Sequence, residues 1–113
     1  MLFMFSEVKC FQVNPTKIDE FEEIIKEMRK EQAKQAGCVK ISYMKRFYTL
    51  EDLQPRKLTK IVKCVKYFSY WEFDCIDNYS IAVKWFFETY LKPIQKLLIM
   101  PFDVYSGETI DSI

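Results

Sequence analysis

The most informative absence in this sequence is histidine, which occurs at none of its 113 positions. Histidine is the commonest general base, metal ligand and haem ligand in proteins. Glycine is nearly as scarce, with two residues, and the G-x-G-x-x-G fingerprint of nicotinamide- and flavin-binding folds is missing. We therefore predict a protein without a bound metal or cofactor.

Closely spaced cysteines are also absent, although the chain has four of these residues: Cys10, Cys38, Cys64 and Cys75. None of them forms a C-x-x-C pair, and zinc sites normally combine closely spaced Cys and His, so we predict no structural zinc. Three of the four cysteines fall in strand-like runs. This placement is typical of buried, reduced thiols and predicts a cytoplasmic protein.

Neither a long apolar run nor an excess of charge is present. No segment reaches the roughly 18 apolar residues that span a bilayer. The first eight residues lack the basic start and the small-residue cleavage site of a signal peptide. The formal net charge of +1 gives no electrostatic case for binding nucleic acid or an anionic membrane. We expect neither partner.

Aromatic residues, by contrast, are abundant, at 17% of the chain within a hydrophobic total of 50%. A chain of this length forms one domain over residues 1–113, with a single core. Aromatic side chains bury large areas in cores and interfaces. Their surplus predicts buried surface beyond one small core, and therefore an oligomer.

The stretch 60–73 predicts the central strand, because it is rich in β-branched and aromatic residues and has no Gly or Pro. Side chains alternate between the faces of a strand. One face would carry Ile61, Val65, Tyr67, Trp71 and Phe73. The opposite face would carry Val62, Cys64, Phe68 and Tyr70, together with Lys66 and Glu72. Both faces are largely apolar, so we expect helices to cover one and a partner subunit or a ligand such as nucleic acid to cover the other.

The rest of the pattern predicts the order βαββαβ. A first strand over 2–13 leads through Asn14-Pro15 into a helix that Gly37 ends. A second strand covers 38–48, with Val39, Ile41, Tyr43 and Phe47 on one face. The polar segment 49–59 is either an extended hairpin arm or a mobile loop. After the central strand comes a second helix, which Pro93 interrupts, and a last strand over 102–110. Right-handed crossovers fold this order into an α+β, ferredoxin-like sandwich with a four-stranded antiparallel sheet.

Several short motifs in this order resemble the antibiotic biosynthesis monooxygenase-like family of dimeric α+β barrels. Asn14-Pro15-Thr16-Lys17 opens the first helix, Gln35-Ala36-Gly37-Cys38 forms the joint before strand two, and Tyr70-Trp71-Glu72 ends strand three. The resemblance spans nearly the whole chain. It implies a homodimer whose sheets pack face to face, with a small pocket between sheet and helices in each subunit.

The resemblance also implies roles for particular residues. Trp71 matches a functional Trp position, so we assign it, with Tyr67 and Tyr43, to a catalytic group. The lining of the pocket would be Phe21, Ile25, Trp85, Phe86 and Tyr90. The dimer interface would contain Val62, Cys64, Phe68 and Tyr70. Strand one has Ser6, Glu7 and Val8 near the position where haem-degrading members carry an Asn, and the chain lacks their His, so haem degradation is disfavoured.

A second resemblance is to the RNA recognition motif, which shares the βαββαβ order. Residues 66–73 match its strand-three signature at Lys66, Phe68, Tyr70 and Phe73 but lack both signature glycines. Phe68 and Tyr70 would then stack bases on the open sheet face. Three functional hypotheses follow. The first is a binder of an apolar or aromatic small molecule, with a cofactor-independent monooxygenase as its catalytic form. The second is a non-catalytic ligand-binding or interaction protein, and the third is an RNA binder.

Overall fold

A computed structural model describes residues 3–60 and 63–113, which form an α+β fold. Its strands are β1 (Phe5–Val13), β2 (Cys38–Lys45), β3 (Tyr48–Glu51), β4 (Gln54–Lys57), β5 (Val65–Phe73) and β6 (Asp103–Glu108). Its helices are α1 (Ile18–Ala33) and α2 (Ile76–Gln95). Four strands form an antiparallel sheet in the order β2-β5-β1-β6, which confirms the ferredoxin-like topology.

Burial alternates strictly along the two central strands, β1 and β5, and the sequence predicted this alternation for β5. In β1 and β5 the odd-numbered residues are buried beneath the helices, whereas the even-numbered ones remain partly exposed. Tyr67, Trp71 and Phe73 therefore face α1 and α2, and Phe68 and Tyr70 face away from them. The predicted positions of Ile61 and Val62 lie outside the described residues.

Strand β2 departs from simple alternation at its start. The pairing with β5 shifts between Cys38 and Lys40, so that Val39 is an extra residue in a bulge. Val39 is consequently 53% exposed instead of sharing the helix-facing side with Ile41 and Tyr43. Beyond the bulge the predicted parity returns, with Ile41 opposite Trp71 and Tyr43 opposite Ser69.

The joints around α1 depend on two sequence signals. The Asn14 side chain accepts a hydrogen bond from the Thr16 backbone N–H at 2.9 Å, which caps a short 3-10 turn at Pro15–Lys17 before the helix. The helix ends at Ala33, earlier than Gly37. Gly37 instead has φ +81° in the turn into β2, where a Cβ would collide with Asp74 and Asn78.

Helix α2 runs through Pro93 to Gln95, so the predicted interruption does not occur. A proline removes the hydrogen bond to the carbonyl four residues earlier, here that of Thr89, so α2 continues past Pro93 with one backbone bond fewer. Tyr90 and Ile94, on either side of Pro93, are both buried and hold the last turn against the core.

The segment 49–59 is a hairpin arm, the first of the two predicted alternatives. Strands β3 and β4 pair with each other in a separate two-stranded sheet. Asp52 and Leu53 at its tip have φ of 52° and 61°. Two successive positive φ angles are the signature of a type I′ turn, whose twist matches that of the flanking strands.

Candidate functional site

A cleft of about 240 Å³ opens between α1 and the β2–β5 side of the sheet. We call it the tyrosine cleft, and it is lined by Glu22, Ile25, Lys26, Tyr43, Lys45 and Tyr67. Three of the predicted site residues, Tyr43, Tyr67 and Ile25, therefore meet at one opening. Phe21 is fully buried, with its ring centroid 4.9 Å from that of Tyr67.

A chain of hydrogen bonds holds the mouth of the tyrosine cleft. The Tyr67 hydroxyl donates to Glu22, and the Lys45 ammonium donates to the same carboxylate oxygen at 2.9 Å. Burial and the Glu22 carboxylate raise the pKa of Tyr67, so this phenol stays protonated at neutral pH. The bonds from Tyr67 and Lys45 lower the pKa of Glu22. Tyr67 is therefore a hydrogen-bond donor, and Glu22 is a stable carboxylate and a weak base.

The hydroxyl of Tyr43 points inward from the cleft. It donates to Gln32 Oε1 at 2.6 Å, and burial raises the pKa of this phenol. Gln32 belongs to the last turn of α1 and is fully buried, yet its Nε2 has no hydrogen-bond partner in the part of the chain that the structure describes. The N–H groups of the Gln32 amide therefore remain available as hydrogen-bond donors behind Tyr43.

Trp71 lies in the core and not in the tyrosine cleft. It is fully buried, with its ring centroid 4.9 Å from Phe73 and 6.2 Å from Phe86. Its indole N–H has no partner among the described residues. Tyr90 is buried beside Phe86, and Trp85 is half-buried against Tyr90 at 5.8 Å. The predicted site therefore divides into a cleft group and a core group.

The core group contains a buried ion pair that the sequence analysis did not identify. Glu7 and Lys9 of β1 are both fully buried and paired with each other. The Tyr79 hydroxyl of α2 donates to Glu7 at 2.5 Å. The Lys9 ammonium lies 4.1 Å from the centroid of Phe86 and 5.2 Å from that of Trp71. Burial lowers the pKa of Lys9, and the Glu7 carboxylate opposes that change.

A signal for this pair was present in the alternation of β1. Every second residue of β1 lies on the same face of the sheet, and one face therefore carries Phe5, Glu7, Lys9 and Phe11. Two opposite charges between buried phenylalanines form an i,i+2 pair on that face. In the sheet register Glu7 is opposite Trp71, which brings the charges beside a predicted catalytic residue. Ionisable groups perturbed in this way cluster at functional sites, although structural ion pairs also perturb them.

The sheet surface away from the helices, here called the open face, contains the predicted interface residues. Phe68 is opposite Cys10 and Met44 in the register, and all three are partly or largely exposed. Tyr70 is also half-buried, and its hydroxyl donates to Glu72 at 2.6 Å. Cys64 is half-buried, whereas Val62 lies outside the described residues. This face of the subunit has no cover from its own helices.

Two further findings concern only residues 3–60 and 63–113. Their Cys, Asp and Glu side chains form no group of three that could hold a metal ion. Neither helix in these ranges is both long and apolar enough to cross a membrane.

The hydrogen bonds of Glu22 predict a small loss of stability in acid. Its pKa is lower in the folded chain than in the unfolded one, so its contribution is complete above about pH 4.3 and is lost as pH falls through the folded pKa. The side chain is 43% exposed, which limits the effect to under about 1 kcal/mol. In thermal melts, Glu22→Gln should lower the melting temperature at pH 7 but not at about pH 3. An equal loss at both values would contradict this assignment.

Comparison with known proteins agrees with the sequence resemblance at the level of fold. No protein-family model matches the sequence, and no curated protein matches it. Among solved structures, a variant of SnoaB, a cofactor-independent oxygenase from Streptomyces nogalater, superposes with a TM-score of 0.70 at 15% identity. The alignment covers 97% of this chain and 96% of SnoaB.

Two other solved structures give the same result. A candidate antibiotic biosynthesis monooxygenase from Nitrosomonas europaea has a TM-score of 0.70 at 9% identity, covering 97% of this chain and 93% of its own. A conserved protein from Methanosarcina mazei has a TM-score of 0.66 at 16% identity, covering 94% and 92%. At identities this low, the superpositions show a shared fold alone. The chain therefore has the ferredoxin-like α+β fold of the antibiotic biosynthesis monooxygenase-like proteins.

Proposed function

We propose that this protein binds an apolar or aromatic small molecule in the tyrosine cleft. The observation that carries the proposal is the meeting of Tyr43, Tyr67 and Ile25, which were selected from the sequence, around one opening. Ligand pockets are typically apolar, with a few fixed polar groups that orient the ligand. Here Glu22 and Lys45 provide those groups at the mouth.

Binding without catalysis is the better supported form of this function. Glu22 has a lowered pKa and Tyr67 a raised one, so neither is a good base near neutral pH. The Lys45 ammonium keeps N–H donors beyond its bond to Glu22 and can donate one to an oxygen of the ligand, while the Tyr67 oxygen can accept a bond from a ligand hydroxyl. A phenol or a carbonyl compound of one or two rings suits both the apolar walls and these polar groups.

A cofactor-independent oxygenase is the second candidate, favoured by the ion pair of Glu7 and Lys9 beside Trp71. In such a reaction a substrate CH₂ group becomes C=O, and the second oxygen atom leaves as water. The substrate supplies all four electrons, so no redox group of the protein is needed. Trp71 and Lys9 are both fully buried, so this proposal requires the core to open before Trp71 can orient the substrate and Lys9 can stabilise a developing oxyanion.

We further propose that the protein is a cytoplasmic homodimer that joins through the open face. The four cysteines are free thiols, which suits a reducing compartment. On the open face Met44 is 57% exposed and Tyr105 is 65% exposed, around the half-buried Phe68 and Tyr70. Stable monomers rarely leave large apolar patches uncovered.

Filling the tyrosine cleft tests the binding proposal. Ile25→Trp should occupy the cleft and weaken binding of 1-naphthol by about tenfold or more. Tyr67→Phe should weaken it less, because it removes one hydrogen-bonding hydroxyl and keeps the apolar wall. Binding is measured in the wild type by quenching of tryptophan fluorescence and in all variants by calorimetry. The matched control is Ile81→Trp, since Ile81 is 70% exposed on α2.

The outcomes separate the candidates. Saturable binding lost only in Ile25→Trp supports the tyrosine cleft, whereas equal binding in both tryptophan variants would refute it. Oxygen uptake with a hydroxyanthrone that Trp71→Phe abolishes, while ligand binding and fold persist, would establish the oxygenase. A purely structural Trp71 would show only a stability loss of a few kcal/mol at most, about what a cavity in the core costs.

A further inference from the structure

The positive charge of this nearly neutral chain is concentrated around the root of the hairpin arm. Residues 45–66 contain seven Lys and Arg residues against two acidic ones, whereas the whole chain has a net charge of +1. The remainder of the chain is therefore net acidic. A local concentration of one sign attracts counter-ions even when the total charge is close to zero.

These cations surround a cleft of about 330 Å³ between the arm and the sheet. We call it the root cleft, and its described lining is Arg46, Phe47, Leu58, Lys60, Lys63, Cys64, Val65 and Lys66. Four of the eight side chains are cationic, and no acidic side chain belongs to this lining. Phe47, Leu58 and Val65 provide an apolar floor.

The cations of the root cleft lack partners within the described part of the chain. None of Arg46, Lys60, Lys63 and Lys66 takes part in an ion pair there. The Lys57 ammonium lies 5.5 Å from the Phe47 ring centroid and adds to the positive potential. Like charges held together repel one another, and a bound anion would remove that cost.

We propose that the root cleft binds a small organic phosphate, with the phosphate oxygens on Arg46 and the lysines and the organic part on the apolar floor. Arginine presents a planar fork that matches phosphate oxygens, and lysine serves as a mobile point charge. A volume of about 330 Å³ suits one small molecule.

The arm itself disfavours an extended polyanion at this place. Glu51 and Asp52 lie at its tip, so acidic side chains border the basic surface on that side and would repel a longer polyanion. A single small phosphate needs only the root. The proposal is independent of the tyrosine cleft, because the two clefts share no lining residue.

Calorimetric titration of the full chain with ATP as the probe tests the proposal. We expect one saturable site whose affinity falls when salt is raised from about 50 mM to about 300 mM. The double variant Arg46→Ala/Lys63→Ala should bind at least about tenfold more weakly. The control is Lys30→Ala/Lys84→Ala, which removes two exposed helix lysines and should leave the affinity unchanged.

Specific results would overturn the proposal. They are the absence of ATP binding at about 1 mM, or equal weakening in both double variants. Mixed-sequence single-stranded RNA or phosphatidylserine vesicles could instead bind more tightly than ATP and lose that binding in Arg46→Ala/Lys63→Ala. Such a result would assign the root cleft to nucleic acid or to a lipid headgroup. RNA binding lost in Phe68→Ala/Tyr70→Ala would assign nucleic acid to the open face. Circular dichroism of each variant shows whether a protein that has lost binding is still folded.

Discussion

Lys9→Met is expected to lower the free energy of unfolding by about 3–5 kcal/mol. The methionine fills a similar volume but leaves the Glu7 carboxylate fully buried with only the Tyr79 hydroxyl as a donor. Removing one partner of a buried ion pair is costly, because the remaining charge has lost both water and its counter-charge. The contacts of the Lys9 ammonium with Phe86 and Trp71 are lost as well.

Urea unfolding at one fixed protein concentration measures this loss, since oligomerisation would otherwise change the apparent stability. Lys34→Met is the matched control. Lys34 pairs with Glu31 at 3.2 Å on the surface, where its side chain is 70% exposed. A surface pair of this kind contributes at most about 1 kcal/mol, so the control should unfold almost like the wild type.

The double variant Glu7→Gln/Lys9→Met distinguishes a charge effect from a packing effect. It removes both charges and keeps an acceptor for the Tyr79 hydroxyl, so it should recover most of the stability lost in Lys9→Met. If Lys9→Met costs under about 1 kcal/mol, or if the double variant is the sum of its parts, the two groups are not a coupled buried pair.

The fold could be predicted from this sequence because its decisive signals are local and periodic. The alternation in 65–73 fixed which face of β5 meets the helices, and Asn14-Pro15 marked the approach to α1. The errors occurred where tertiary packing overrides local preference. Buried Tyr90 and Ile94 carry α2 past Pro93, and a bulge moves Val39 out of the pattern.

The candidate site was only partly predictable, because parity assigns a face and not a depth. Tyr67 and Trp71 share a face, yet Tyr67 lines a cleft and Trp71 is sealed between Phe73 and Phe86. That difference depends on where the helices cross the sheet, which no periodicity specifies. The spacing of Glu7 and Lys9 places both side chains on one face of β1. Charged residues are so seldom buried, however, that the spacing alone does not predict a buried ion pair.

The root cleft was not predictable, because its lining comes from residues on both sides of the hairpin arm. The net charge of +1 argued against an anionic partner, but a total conceals the distribution of charge. Arg46 and Lys63 are far apart in the chain and belong to one surface only because the hairpin lies between them. The proposed phosphate site depends on this proximity.

Phe68→Glu is expected to convert the proposed homodimer into a monomer, with a rise of at least about 100-fold in the dissociation constant. Phe68 is central on the open face, between Cys10 and Met44. An interface of this kind should bury more than about 2,000 Å² in total, and truncation of central aromatic residues is the costliest change in such interfaces. The variant also places a carboxylate in a desolvated patch without a partner.

Light scattering coupled to size exclusion at micromolar concentration measures the change. Ile81→Glu is the control, because Ile81 is 70% exposed on the outer side of α2. The Ile81→Glu protein should remain dimeric. In the free subunit Phe68 is only half-buried, so the variant monomer should keep its fold and its circular dichroism spectrum. A wild type that is monomeric at this concentration would refute the dimer. A Phe68→Glu protein that stays dimeric would place the interface elsewhere.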